Sequence, residues 1–412
     1  MIRLSTERVL RSALLGMALV SVACGGGKGN LGPKVAEKGL PPANPIAVQR
    51  MVEGVTAAKD PRMQTRAIAL LREAVSIDPN LWEARFDLGV VLANAGDLAN
   101  AEEQLRAAAK TAPEREEVAV ALAEVRRRRG SNKDAASSLD DFVKDHPGAI
   151  EARTLLVAAL RDSGQHERAI QNAREVLVRK PGDATALAEL ALCHLGKGER
   201  DTAQLLVKQA LDVNGKSAIA HRVQGLVFLG GGDDAAAFQA FSKAANEDPR
   251  DTTSRLNMGA VLLRAGAYRK AAEQYKSALA AAPDEPSAQV GLAAALRGES
   301  DGKDPKLLDE AKSLLEKVLA NDPHSVAGNF NLGVLYADSL KKPAEAKTYF
   351  ERFLEDAPKD HPSRPEAERQ LAGSKAAAPA TPPPATPPPA AAPGAAPPGA
   401  PVPAAKPAGV KK

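Results

Sequence analysis

Aromatic residues are scarce in this 412-residue chain, at 3% with a single Trp, so any core it forms is filled mainly by Ala, Leu and Val. An apolar fraction of 44% carried by such residues is the composition of a helical protein. Cysteine is almost missing. Cys24 and Cys193 cannot build a disulfide framework, and the histidines at 146, 166, 194, 221, 324 and 361 lack ligand spacing, which excludes a structural zinc site as well. No charge of one sign dominates: 55 Lys and Arg face 51 Asp and Glu, and a balance of +4 is too small for bulk attraction to nucleic acid or an anionic membrane. No Walker A, HExxH, GxSxG or dinucleotide fingerprint occurs, and Gly25–Gly27 and Gly230–Gly232 lack the strand-loop-helix context that cradles phosphate. The chain therefore reads as non-catalytic, with no cofactor, no metal, no nucleic acid and no small-molecule substrate.

Long hydrophobic runs are lacking too. The apolar stretch Ala13–Ala23 is shorter than the roughly 20 residues a membrane span needs, and Gly25, Gly26, Gly27 and Lys28 stop it at once. With Arg3, Arg8 and Arg11 around it, residues 1–23 read as an export signal that is cleaved. The quartet Ser21, Val22, Ala23, Cys24 resembles the bacterial lipobox, which implies lipidation of Cys24 and a stable acyl anchor. By the same resemblance, Gly25 after the cysteine implies an outer-membrane address facing the periplasm. The other reading is a plain secretory signal cleaved near Ala23. Residues 24–47 then form a flexible linker, and Cys193 reads as a small buried hydrophobe.

What the sequence has in abundance is self-similarity. Ala67, Leu71, Ala74 and Pro79 recur 34 residues on as Ala101, Leu105, Ala108 and Pro113, and the signature continues with starting alanines at 135, 169, 203, 237 and 271. Ala311 follows after a six-residue insertion and Ala346 after one more, giving nine units over residues 48–360. Each carries an upstream companion, seen in Leu88-Gly89, Met258-Gly259 and Leu332-Gly333, and a turn glycine such as Gly96 or Gly266. Small residues let two helices approach closely, and the proline ends the second helix because it has no N–H to donate. The pattern resembles the tetratricopeptide repeat, which implies an all-α, right-handed α-solenoid of about nine helix-turn-helix repeats.

The edges of the array carry further expectations. The first helix, around Val48–Ala58, is read as a worn N-terminal cap lacking the Leu-Gly pair, and residues 361–373, with Ser363, Pro365 and Glu366, as a capping helix. The polar insertion Gly298–Lys306 is expected to project as a long loop. Residues 374–412 are Pro and Ala with little charge, unable to form a core and read as a spacer. Arg126–Arg129 close a first helix, where the helix dipole favours cations, with Glu114, Glu116, Glu117 and Glu124 near enough in sequence to neutralise them; an anion or acidic-peptide contact is the other reading. Trp82 is taken as an edge-packing residue rather than a sugar platform, and His194 and His221 as packed or surface residues.

Repeat proteins of this kind bind through the concave face of the first helices. By register that face carries Phe86, Val90, Leu226, Leu256, Val290, Phe330 and Val334, with Asn257 and Asn331 as amide handles suited to an extended peptide. The competing reading is that the apolar members only complete helix packing. The chain is similar to the tetratricopeptide lipoproteins of envelope machines, including gliding-motility lipoproteins of the GltE type and the pilotins that escort secretins. That resemblance implies a protein-binding scaffold, attached to the membrane by lipid, in a motility, secretion or export assembly; a pilotin-like assembly factor and a soluble periplasmic adaptor are the alternatives.

Overall fold

The computed structural model describes residues 43–375, so the export segment, Cys24 and the Pro/Ala-rich segment beyond 375 lie outside the described residues. Among the described residues every regular element is helical. Two compact units divide at Val176 and Leu177. In the first, α1 (Pro45–Ala57) packs on α2 (Gln64–Ile77), α3 (Trp82–Asn94) on α4 (Leu98–Thr111), and α5 (Glu116–Arg128) on α6 (Asn132–Asp145). Next come α7 (Ile150–Asp162) and α8 (His166–Arg179), within which the division falls. In the second unit α9 (Ala184–Gly196) packs on α10 (Arg200–Val213), α11 (Ala218–Gly230) on α12 (Asp234–Glu247), and α13 (Thr252–Arg264) on α14 (Tyr268–Ala281). The unit is completed by α15 (Pro286–Ser300) on α16 (Pro305–Asn321), α17 (Val326–Val334) on α18 (Pro343–Asp356), and a last helix, α19 (Arg364–Lys375), on α18.

In five of the nine described pairs a glycine on the first helix faces one large side chain on the second. A Cβ placed on Gly89 would lie 2.6 Å from Leu105 Cγ; on Gly225 it would meet the Phe241 ring at 2.5 Å, on Gly259 the Tyr275 ring at 2.6 Å, and on Gly333 the Phe350 ring at 2.8 Å. No real Cβ tolerates such distances, so only glycine lets the second helix seat its side chain against the backbone of the first. The recurring alanines of the second helices, from Ala67 through Ala311, are fully buried. The first helix of the array obeys the same rule, which corrects its reading as a worn cap: Gly54, without a preceding Leu, takes Leu71 at 2.7 Å. It also starts earlier than expected, at Pro45 behind the Asn44 cap, so residues 45–47 belong to a helix rather than the linker.

The turns repeat as faithfully as the helices. Gly96, with φ +88°, takes the left-handed conformation that ends α3 without a Cβ clash, and Gly266 does the same for α13 at +69°. A second device closes the loops between pairs, whose carbonyls would otherwise be left without a donor. Near the start of the following helix a side chain reaches back six residues: Arg85 donates to the Pro79 carbonyl, Arg255 to Pro249, Gln289 to Pro283 and Asn329 to Pro323. His221 Nε2 lies 2.9 Å from the Gly215 carbonyl, the one loop of this set in which glycine replaces proline. Nε2 must be the protonated nitrogen there, because a carbonyl only accepts. Trp82 is buried beneath the Arg115 guanidinium, 5.1 Å from its ring, and Cys193 is wholly buried, both as packing residues.

Both insertions are absorbed into helices, although the first was expected to project as a loop. Rather than projecting, most of the six extra residues lengthen α15 to 15 residues and α16 to 17, against 13 and 14 in the preceding pair, so the turn between them is only 301–304. Extending two helices satisfies their backbone hydrogen bonds, whereas a polar loop would leave them to water. The single extra residue before Ala346 sits in a π turn, Leu335–Ser339, that continues α17. At the end of the chain α19 runs over 364–375 rather than 361–373, and buries Ala367 against the core of the second unit.

Gly259→Leu tests this register. The added side chain has no room beside Tyr275, and overpacking of this kind should cost about 1–3 kcal/mol. Urea denaturation of the variant should show an earlier midpoint; an unchanged midpoint would place Gly259 away from the helix contact.

Candidate functional site

The first helices of the pairs carry the positions expected to line a peptide groove, and the structure sorts them into two kinds. Phe86 and Val90 on α3, Leu226 on α11, Val290 on α15, and Phe330 and Val334 on α17 are all buried. Val290, Phe330 and Val334 share one core, with Leu256 packed against it from α13; Leu226 belongs to another, with Met258. Phe330 sets its ring 5.1 Å from that of Phe353. These apolar positions serve packing first, because a side chain one turn from the glycine is covered by its neighbouring helices. Leu256 and Asn257 are half-buried and remain accessible, whereas Asn331 is buried at 5% exposed.

The two asparagines share a geometry. Asn257 Nδ2 donates to the Thr253 carbonyl at 3.0 Å, and Asn331 Nδ2 to the Ala327 carbonyl at 2.9 Å. A back-bond of this kind fixes the amide and leaves its Oδ1 as an acceptor for another N–H. The same register, five repeat lengths of 34 residues before Asn257, holds Asp87. Counting in repeat lengths from Asn257 finds it, whereas the apolar pattern marks only its neighbours Phe86 and Val90.

The run Arg126–Arg129 is spent inside the first unit. Arg126 and Arg129 both bind Glu102 of α4, which Arg106 also holds, and their hydrogen bonds keep the Glu102 carboxyl below the usual carboxylate range even though burial opposes them. Arg127 binds Glu124 and, at 2.6 Å, Asp162 of α7, while Arg128 donates to the Ala93 carbonyl at the end of α3. Except for Glu124, the expected acidic partners lie elsewhere: Glu114 meets Arg115, and Glu116 accepts from the Ala152 N–H. Glu116 and Glu117 sit at the opposite end of α5 from the arginines, about 15 Å away at 1.5 Å per residue.

Asp87 differs from these acids. It is 8% exposed, and burial first, then the charge of Glu83, push its carboxyl up to about 8. Glu83, one turn earlier, is itself raised by burial and by the nearby Asp78 and Glu117, against the lowering influence of Arg115. In the second unit Arg297, near the end of α15, is lowered by burial, with Asp338 and Tyr268 opposing that shift. Elsewhere in that unit a cleft of about 590 Å³ between α10 and α11 is lined by Leu205, Lys208, Leu211, Asp212, Gln224 and Phe228. Among the described residues no cluster of His, Cys, Asp and Glu has the makings of a metal site, and no helix is long and apolar enough to cross a membrane.

Asp87 couples stability to pH. The folded carboxyl holds its proton up to about 8, whereas the unfolded one releases it near 3.9. Between those values the folded state binds more protons, so stability falls as pH rises, by at most about 1.4 kcal/mol per unit, and levels above 8. Urea denaturation at pH 5, 6.5 and 8 should show this decline in the native chain and a shallower one in Asp87→Asn; parallel profiles would assign the decline to other groups.

Two family models, each described as tetratricopeptide repeat, match residues 65–125 and 160–226, and residues 120–184, 256–302 and 307–361, together more than half of the chain. No curated protein matches the sequence. Among solved structures, a thermophilic TPR protein of Thermus thermophilus is 23% identical, covering 44% of this chain and 99% of its own at a TM-score of 0.40. YrrB, a TPR protein with an unusual peptide-binding site, is 21% identical over 48% of this chain and 97% of its own, TM-score 0.38. PilW, a type IV pilus biogenesis factor, is 17% identical over 50% and 96%, TM-score 0.42. With its glycine-seated helix pairs matched by these family models across most of both units, the chain belongs to the tetratricopeptide repeat family.

Proposed function

We propose that this protein is a lipid-anchored, non-catalytic scaffold of the bacterial cell envelope that holds extended segments of partner proteins on its first helices. Protein interaction is the role of the repeat itself; the envelope setting rests on residues 1–24, where arginines, an apolar stretch, a lipobox-like quartet and Cys24 follow in the order of a lipoprotein signal. The observation that carries the binding mode is the pair of back-bonded amides, Asn257 and Asn331, each with Oδ1 left to accept from a backbone N–H. Leu256, half-buried beside Asn257, supplies an apolar contact. The partners are proteins of an envelope assembly for motility, secretion or export.

Crosslinking in intact cells followed by affinity purification tests both parts. Replacing Asn257 and Asn331 together with Ala should reduce partner recovery several-fold while leaving the helical circular dichroism unchanged; full recovery would remove the amides from the binding mode. Cys24→Ser should move the protein from the membrane fraction to the soluble one and empty the set of membrane partners. A single secretin-like partner would favour a pilotin-like role, and partners indifferent to Cys24 a soluble adaptor.

A further inference from the structure

We propose that Asp87, with Glu83 one turn before it on α3, is a receptor for one cationic side chain, a lysine or an arginine, carried by the partner segment that the first unit takes up. This rests on the reading of the first helices as the binding face and adds to it a chemical preference, in a unit where neither Asn257 nor Asn331 lies.

The argument is one of partners. Other shielded acids of this unit have internal donors: Glu102 has three arginines, Asp162 has Arg127 and Arg161, Glu124 has Arg127, and Glu116 has the Ala152 N–H. Among the described residues Asp87 finds neither a hydrogen bond nor an ion pair for its carboxyl, although the residue is more than nine-tenths buried. Its oxygens are nevertheless not among the sealed polar atoms that lack a partner, so they keep some contact with solvent. Without a partner the buried carboxyl keeps its proton at neutral pH; a bound cation displaces that proton to solvent and pairs with the carboxylate left behind.

The cations nearby are committed elsewhere. Arg85 donates to the Pro79 carbonyl and to Gln104. Arg115 lies over the Trp82 ring and against Glu114, and Arg128 is on the Ala93 carbonyl. Of the other elements packed against α3, α1 contributes Arg50 and Glu53, which bind each other, with Arg50 also on Glu73 of α2; α4 contributes the Glu102 cluster; and α5 contributes Glu117. The Asp87 register on α5 is occupied by Ala121, too short to supply a donor.

The test uses the full chain and four pools of undecapeptides, degenerate except for a central Arg, Lys, citrulline or Glu. Citrulline keeps the shape of arginine without its charge. Immobilised protein should retain the Arg and Lys pools at least about tenfold over the citrulline and Glu pools, the scale of a charge-assisted hydrogen bond. Asp87→Asn, with unchanged circular dichroism, should abolish that excess. Glu83→Gln serves as a second variant, and the excess should fall in it even where Asp87→Asn does not fold. The excess should grow as pH rises from 6 to 8 in the native chain and stay flat in Asp87→Asn. Because Trp82 is the only tryptophan, its emission reports binding next to Glu83 directly. Equal retention of all four pools, or an excess that survives Asp87→Asn, overturns the receptor while leaving the groove reading intact. Retention of no pool overturns both, and an excess lost in Asn257→Ala but kept in Asp87→Asn moves the preference to the second unit and overturns the receptor.

Discussion

The close approach of two helix backbones, where a glycine on one receives a ring or a leucine from the other, is the contact on which five of the nine described helix pairs depend. Gly225 with Phe241, Gly259 with Tyr275 and Gly333 with Phe350 are three versions of one joint. Tyr275 serves two joints at once, since a Cβ on Gly291 of the next pair would meet the same ring at 2.3 Å. Its ring is 3% exposed, and burial raises its hydroxyl far above the ordinary tyrosine range, so it packs as a neutral wedge between successive pairs. That double use passes the packing of one repeat to its neighbour, which is how a repeat array gains cooperativity from local contacts.

Charge is managed on a different principle from apolar packing. In the first unit arginines tie one pair to another: Arg127 crosses from α5 to α7, Arg126 from α5 to α4, and Arg128 satisfies a carbonyl at the end of α3. Buried ties of this kind contribute through geometry and satisfied hydrogen bonds more than through net Coulomb energy. Against that background the uncommitted Asp87 stands out, because the surrounding arginines are within the same unit and, among the described residues, none is aimed at it.

Much of the fold is legible in the sequence because the joint has a chemical signature. The 34-residue spacing of the second-helix alanine and the helix-ending proline can be counted without knowing any coordinate, and the nine units follow. The ends were less legible: Gly54 lacks the Leu that marks the other joints, yet works in the same way. The candidate site was legible only in part. Asn257 and Asn331 stand out as amides beside Leu-Gly or Met-Gly, but whether Phe330 or Val290 is open or covered depends on which helix lies over it, and that is a property of packing. Asp87 looked like one of many solvated carboxylates, since its burial is made by tertiary neighbours and not by its own stretch of chain. The partners of Arg126–Arg129 are hidden in the sequence for a related reason: neighbours along a helix are obvious, whereas Glu102 and Asp162 arrive from adjacent pairs.

The π turn at Leu335–Ser339 has a bearing on how such a chain can change. One surplus residue is taken up within a single helix, and Gly333 still meets Phe350 beyond it. Six surplus residues in the preceding pair are taken up mainly as added helix, and Tyr275 and Leu315 stay buried on either side. A miscount in one repeat is therefore not handed on to the next. Each joint resets the ruler, so the array can accept additions one repeat at a time and keep the faces of the remaining helices in phase.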